Sequence, residues 1–233
     1  MIFEAQVSGE ESAATDSRSV LNGKQVLSLV DMEPRKPSGR TGRPRSFDLD
    51  KALDAAMQVF WRNGYEGASL SALTQAMGIN RPSLYAAFGD KETLFRKALD
   101  RYDEGPAAYV RDALKQPTAR AVTQHLLRGT ADLFTDPHHP LGCLMVQGAL
   151  VCGEADDCIR RELVSRRAAG EAALRRRFKR AKAEGDLPAD SNPADLARYV
   201  VTISQGMAVQ AASGARREEL QRVVQTAMRA WPR

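Results

Sequence analysis

The chain has 233 residues, of which 43% are hydrophobic and 27% are charged, so it is long and apolar enough to bury a core in one large or two small domains. The net charge of +5 mildly favours a polyanionic partner such as nucleic acid. The three cysteines, Cys143, Cys152 and Cys158, have neither the paired spacing of a zinc site nor the even count of a disulfide scaffold. With no apolar stretch of bilayer length, the composition predicts a cytoplasmic protein.

Residues 1–39 are predicted to be a disordered leader. They mix Ser, Gly, Glu and Pro around one short apolar patch at residues 26–30, which is too little to build a core. Two interpretations remain open for this leader: translation begins at Met32, or the segment is a genuine flexible extension.

From Phe47 onward, apolar residues recur every three or four positions, which predicts helices. Capping residues and glycines bound four of them: a first helix that stops at Asn63-Gly64, a second from Ser69 to Gly78, a third that begins at Asn80, and a fourth from Asp90 to Gly105. The second and third helices meet across a tight turn at Gly78, as in a helix-turn-helix.

Beyond Gly105 the pattern predicts helices at roughly 106–116, 118–135, 140–153, 156–184, 193–213 and 216–231. No segment reads as a strand, so we expect an all-α protein. The last two helices carry wide apolar faces that need a partner, and we expect a dimer interface there. Its predicted residues are Val200, Ile203, Met207, Leu220, Val223, Val224, Ala227 and Trp231.

The third helix has the pattern of a DNA-reading helix. Asn80, Arg81, Ser83 and Tyr85 would point outward, while Leu84 and Phe88 would anchor the helix in the core. A helix of this kind fits the major groove, where short polar side chains reach the edges of the bases.

These residues resemble the DNA-binding signature of the tetracycline-repressor (TetR) family over about residues 42 to 100. The matching positions are Gly64-Tyr65, Ser69-Leu70, Leu73, Met77-Gly78-Ile79-Asn80, Ser83-Leu84-Tyr85, Phe88, Lys91-Glu92 and Leu94. The resemblance implies an N-terminal three-helix helix-turn-helix domain and a larger helical C-terminal domain for ligand sensing and dimerisation.

Carried over by position, the resemblance implies that Arg81 and Ser83 read base edges and that Ser69, Tyr85 and Lys91 bind phosphates. Thr74 and Ala87 depart from the residue types that the family favours there. The predicted DNA-contacting set is Arg43, Arg45, Ser69, Thr74, Asn80, Arg81, Pro82, Ser83, Tyr85 and Lys91. Arg43 and Arg45 belong to a flexible arm before the first helix that can reach phosphates or the minor groove.

A cluster of apolar residues in the C-terminal half is a candidate ligand pocket, or else ordinary core. The candidates are Phe134, Leu141, Cys143, Leu144 and Met145. Cys143 would lie in the first turn of a helix, where the helix dipole can favour the reactive thiolate. Two interpretations remain open for this cysteine: a redox or electrophile sensor, or a small buried apolar residue.

Two polar features have more ordinary interpretations. The pair His138-His139 near Asp136 invites a metal site, but no complete ligand set is visible, and we predict a polar loop without metal. The basic run from Arg175 to Arg180 could bind nucleic acid, but we predict a solvated helix face instead.

The sequence therefore predicts a DNA-binding transcriptional regulator, acting as a homodimer on double-stranded operator DNA. We expect a repressor that an unidentified small molecule or electrophile releases, with no cofactor and no enzymatic activity. The predicted domains are residues 40–103 for DNA binding and 104–233 for sensing and dimerisation. The alternatives are an activator of the same fold, a nonspecific DNA-binding protein and a thiol-dependent enzyme.

Overall fold

The structure, a computed structural model, describes residues 47–150 and 157–232, without the side chains of residues 148–150. The predicted leader, Met32 and the arm with Arg43 and Arg45 lie outside the described residues. Within them the chain is all α-helical, as predicted from the periodicity, and it contains no strand.

Four helices form the N-terminal part: α1 (Leu49–Gly67), α2 (Leu70–Met77), α3 (Arg81–Phe88) and α4 (Lys91–Glu104). The predicted capping residues begin three of them. Ser69 accepts the Ala72 N–H, Asn80 accepts the Ser83 N–H and Asp90 accepts the Thr93 N–H. These bonds satisfy N–H groups that have no partner in the first turn of a helix, so each short helix has a fixed start.

Two glycines shape this part of the chain. Helical geometry is interrupted at Gly64, whose φ of 70° is the stop expected from the sequence, although the helix continues to Gly67. Gly78 has a φ of 66° and ends α2, and α3 begins three residues later. Because L side chains rarely adopt positive φ, glycine allows the tight turn at each place.

The C-terminal part begins with a 3-10 turn at Pro106–Ala108. It continues with α5 (Tyr109–Leu114), α6 (Ala119–Phe134), α7 (Leu144–Leu150), α8 (Asp157–Ala183), α9 (Pro193–Ala212) and α10 (Arg217–Arg229). Helix α9 packs against α8 and α6, and α10 packs against α6. No helix among the described residues is both long enough and apolar enough to cross a bilayer.

The two parts share one hydrophobic core. Helix α1 packs against α4 and also against α7. At this junction Trp61 is fully buried, its ring meets Tyr102 of α4 edge-on at 4.8 Å, and its Nε1 donates a hydrogen bond to the Gly142 carbonyl at 3.2 Å. The helix-turn-helix is therefore joined to the C-terminal helices by buried contacts.

Candidate DNA interface and ligand cavity

Helix α3 presents a polar face to solvent and an apolar face to the core. Leu84 and Phe88 are buried, whereas Arg81, Pro82 and Tyr85 are exposed. The Tyr85 side chain is 49% exposed. The exposed tip of the helix therefore carries a guanidinium and a phenol that can donate hydrogen bonds.

Three further residues of the predicted DNA-contacting set lie at α2 and α4. Ser69 is exposed and its hydroxyl oxygen accepts the Ala72 N–H at 3.1 Å, which leaves its O–H free to donate. Lys91 lies at the start of α4 with its Nζ 4.4 Å from the centre of the Tyr65 ring. The Thr74 hydroxyl instead donates to the Leu70 carbonyl at 2.9 Å within its own helix.

A cavity of about 370 Å³ lies between α4 and the helices of the C-terminal part. Of the predicted pocket residues, Phe134, Cys143 and Met145 line it. Leu141 does not, because it lies at the surface with 41% of its side chain exposed. Leu144 is fully buried but packs in the core away from the cavity.

The polar groups of the cavity were missed by the sequence interpretation. Tyr109 shares a hydrogen bond of 3.2 Å with Thr130, which in turn lies 3.3 Å from the Ser204 hydroxyl. Tyr102 donates to the Cys143 thiol at 3.5 Å. Burial raises the pKa of both tyrosines, so each stays a neutral hydroxyl that can orient a ligand. Hydroxyls on separate helices give no local sequence signal.

Of the two interpretations of Cys143, the structure favours the buried thiol over a thiolate stabilised by the helix dipole. Helix α7 begins one residue later, at Leu144, and the backbone N–H groups of Val146 and Met145 do favour the thiolate. Burial outweighs them and raises the pKa of the thiol. Cys143 is therefore a neutral thiol in the cavity wall.

Arg166 connects the cavity to α4. It lines the cavity from α8 and bonds Asp100 at 2.7 Å and Asp103 at 3.1 Å on α4, as well as Glu162 at 2.7 Å on its own helix. Burial raises the pKa of Asp103, although the Arg166 charge opposes this shift. This arginine was not singled out from the sequence because it lies in a helix rich in arginine.

The two histidines have separate partners. His138 bonds Asp136 at 2.8 Å, while His139 stacks on Trp61 at a ring distance of 5.3 Å and bonds Gln58 at 3.3 Å. Across residues 47–150 and 157–232, no three His, Cys, Asp or Glu side chains are grouped to hold a metal ion.

The basic run of α8 is only partly a solvated face. Arg175, Arg176, Lys179 and Arg180 are exposed, but Arg177 is 6% exposed and donates from Nη2 to the carbonyls of residues 116 and 117, at 2.8 Å each. That part of the prediction is corrected: one member of the run is a buried link to the loop before α6.

The predicted dimer face also needs correction. Six of its eight residues are buried inside the chain's own core because α9 and α10 pack on α6 and α8: Val200, Met207, Leu220, Val224, Ala227 and Trp231. Ile203 is half-buried and Val223 is 42% exposed. These two, with the exposed Tyr199, line a surface groove between α9 and α10.

Two family models match the chain, and they fall on the two parts described above. The model for bacterial regulatory proteins of the tetR family matches residues 52–98, which cover most of α1 to α4. The model for the tetracyclin repressor-like C-terminal domain matches residues 117–227.

Relatives extend the match over most of the chain. The HTH-type transcriptional repressor ComR of Escherichia coli K12 is 36% identical over 82% of this chain and 92% of its own. A cysteine-substituted TetR family regulator, CifR, solved with 26-base-pair operator DNA, is 48% identical with a TM-score of 0.78, over 82% of this chain and all of its own. A TetR regulator from Rhodococcus sp. RHA1 is 43% identical with a TM-score of 0.56, over 80% of this chain and all of its own.

Three observations agree. Helix α3 has an exposed polar face, it is capped and anchored in the core, and family models match both parts of the chain. The family consists of transcriptional regulators rather than enzymes. The chain belongs to the tetR family of bacterial regulatory proteins, and it is a helix-turn-helix transcriptional regulator.

Proposed function

We propose that this regulator is a repressor that binds operator DNA as a homodimer in the cytoplasm and leaves it when a small molecule or electrophile enters the C-terminal cavity. The observation that carries DNA binding is the exposed tip of α3, where Arg81, Pro82 and Tyr85 project from a helix anchored by Leu84 and Phe88. The repressor name of ComR and the operator complex of CifR support the proposal.

The DNA contacts divide by chemistry. Arg81 and Ser83 would reach base edges, where a guanidinium can bond guanine through two donors. Ser69, Tyr85 and Lys91 would bind phosphates and fix the orientation of the helix. Asn80 and Pro82 hold the start of α3 in place, and the Thr74 hydroxyl contributes less because its proton is used within α2. The arm with Arg43 and Arg45 would add affinity that does not depend on DNA sequence.

We keep the domain roles predicted from the sequence as part of this proposal. Residues 40–103 would bind DNA, and residues 104–233 would sense the ligand and form the dimer. The groove between α9 and α10 supports a pairing surface because it exposes Tyr199, Ile203 and Val223 side by side. A second copy would bury these apolar groups and set the spacing of the two α3 helices.

Release by a ligand would use the contacts between the cavity and α4. Tyr102 and Asp103 both line the cavity and both belong to α4, the helix that follows α3. A ligand that binds better when α4 is displaced would shift the population away from the DNA-binding spacing. Cys143 lies in the same wall, so a small electrophile is one ligand class to test.

DNA binding is tested by a gel-shift titration on DNA that flanks the protein's own gene, with random DNA as competitor. We expect Arg81→Ala and Tyr85→Ala each to weaken binding about tenfold or more. Arg175→Ala is the matched control because it removes an exposed cation from α8. Equal binding to random DNA, or equal loss in all three variants, would contradict the proposal.

Release is tested by adding N-ethylmaleimide to the operator complex. The variant Cys152→Ser/Cys158→Ser keeps only Cys143, and Cys143→Ser removes it. Release from the first variant and retention by the second would support an electrophile. Retention by both while a neutral apolar ligand releases the protein would place the signal in reversible binding. Release of both would show that Cys143 is not required for release.

A further inference from the structure

A groove on the C-terminal part carries more positive charge than its own acidic residue neutralises. It lies between α6 and α10, encloses about 550 Å³ and is separate from the cavity described above. Four arginines and one aspartate line it: Arg120, Arg128, Arg217, Arg229 and Asp132. Gln124, Gln221 and Gln225 add further hydrogen-bonding groups.

The spacing of these residues defines how the two helices face each other. Arg217, at the start of α10, bonds Asp132, near the end of α6, at 2.7 Å. The helices therefore run antiparallel along the groove, and steps of four residues keep to one face of each helix. From the 217–132 pair, these steps place Gln221 opposite Arg128, Gln225 opposite Gln124 and Arg229 opposite Arg120.

This register puts Arg120 and Arg229 at the far end of the groove, whereas Asp132, the acidic residue in its lining, lies at the other end. Among the described residues, Arg120 and Arg128 make no hydrogen bond or ion pair, and Arg229 bonds only the Thr226 hydroxyl, at 3.2 Å. On α6, Arg120 and Arg128 are eight residues apart, which is about 12 Å along a helix. Both side chains are exposed, so their donors are available to an anion in the groove.

The surroundings of this end favour an anion with an organic part. Val224 and Met228 also line the groove and are 3% and 6% exposed, so part of its surface is apolar. The carboxylate of Asp186 lies near this end, where it accepts the Ala119 N–H at 2.5 Å. It forms no ion pair with a described arginine or lysine, so it does not occupy the groove arginines. The volume falls within the range of small-molecule sites and exceeds the needs of a single inorganic ion.

We propose that this groove is a second ligand site, for an organic anion that carries two or more phosphate or carboxylate groups. Arg120 and Arg229 would hold one acidic group between them, and Arg128 would hold another farther along α6. Guanidinium forks match both kinds of oxyanion and form charge-assisted pairs with them. Since Leu126 and Phe134 of α6 line the other cavity, the bound anion would join α10 to a wall of that cavity.

The test is isothermal titration calorimetry of the full chain with inorganic pyrophosphate and, separately, with citrate, at constant ionic strength. The two probes distinguish phosphate from carboxylate recognition. Arg120→Gln and Arg229→Gln are compared with Arg175→Gln, an exposed cation outside the groove, and with Arg81→Ala in the DNA interface. The thermal midpoints of both groove variants are measured first and should stay nearly unchanged, because Arg120 and Arg229 are exposed.

We expect saturable binding of at least one probe that each groove variant weakens about tenfold or more, and that Arg175→Gln and Arg81→Ala leave unchanged. Binding lost in Arg81→Ala but kept in both groove variants would mean that the anion occupies the DNA interface, which overturns the proposal. No saturable binding of either probe, or equal binding by all variants, would overturn it as well.

Discussion

Trp61 of α1 donates its indole N–H to the carbonyl of Gly142 at 3.2 Å, and Gly142 immediately precedes Cys143 in the cavity wall. The same ring stacks on His139 and meets Tyr102 edge-on. A helix of the DNA-binding part thus contacts, through one side chain, both the loop that forms one wall of the cavity and the helix that forms another.

Replacing Trp61 with Phe should destabilise the protein by about 1–3 kcal/mol beyond the loss of ring volume, because the buried Gly142 carbonyl loses its donor. Trp231→Phe is the matched control, since Trp231 is equally buried against Phe178 but makes no hydrogen bond among the described residues. Urea unfolding of both variants measures the difference. Equal costs would show that the Trp61 hydrogen bond contributes nothing.

Replacing two helical glycines with alanine should change the stability of the protein in opposite directions. A Cβ added at Gly129 of α6 would lie 2.7 Å from Cγ of the Tyr109 ring, so Gly129→Ala should cost about 1–3 kcal/mol through overpacking. A Cβ at Gly170 of α8 meets nothing within 4 Å, and Gly170→Ala should stabilise by about 0.5–1 kcal/mol. Thermal unfolding measures both effects. A higher midpoint for Gly129→Ala would contradict the packing of Tyr109, and a lower midpoint for Gly170→Ala would contradict the open space at that position.

Replacing Arg166 should lower the free energy of unfolding more than replacing an exposed arginine. Arg166→Gln removes the cation that pairs with Asp100, Asp103 and Glu162 and should cost about 1–3 kcal/mol. Arg198 pairs with Glu171 at the surface, so Arg198→Gln should leave the unfolding free energy nearly unchanged. If urea unfolding gives the same loss for both, the contact between α4 and α8 does not depend on Arg166.

Cys143 should react slowly with iodoacetamide near neutral pH. Only the thiolate is nucleophilic, and because burial raises the pKa of this thiol, a smaller fraction of it is ionised at neutral pH than in an exposed cysteine. In the Cys152→Ser/Cys158→Ser variant, the rate should still rise at pH values where the rate of a model cysteine peptide has levelled off. A plateau at lower pH than that of the peptide would mean that the dipole of α7 dominates after all.

The local rules of helix chemistry predicted the fold well. Ser69, Asn80 and Asp90 each cap the helix expected from them, because a cap depends on residues within one turn. Tertiary packing decided what those rules could not. Periodicity identified the apolar faces of α9 and α10 but not their partner, so Val200 and Trp231 were assigned to a dimer although they pack inside the chain.

The same limit applies to the candidate functional sites: the local sequence predicts the DNA-binding face, whereas tertiary packing forms the cavity. The exposed face of α3 follows from one short segment, so Arg81 and Tyr85 could be predicted from the sequence. The cavity combines residues from six helices, and its polar members, such as Tyr109 and Arg166, carry no local signal. Cys143 was found, but the direction of its pKa shift stayed open, because burial depends on neighbours distant in the sequence.

A hydroxyl-radical footprint of the protein on DNA flanking its own gene tests the central claim most directly. A homodimer with two α3 helices in successive major grooves should protect two symmetric half-sites about 34 Å apart, one turn of DNA, or a multiple of that distance. Arg81→Ala should lose this protection at concentrations where Arg175→Ala keeps it. Uniform protection without half-sites, or the same footprint from Arg81→Ala, would contradict sequence-specific recognition by α3.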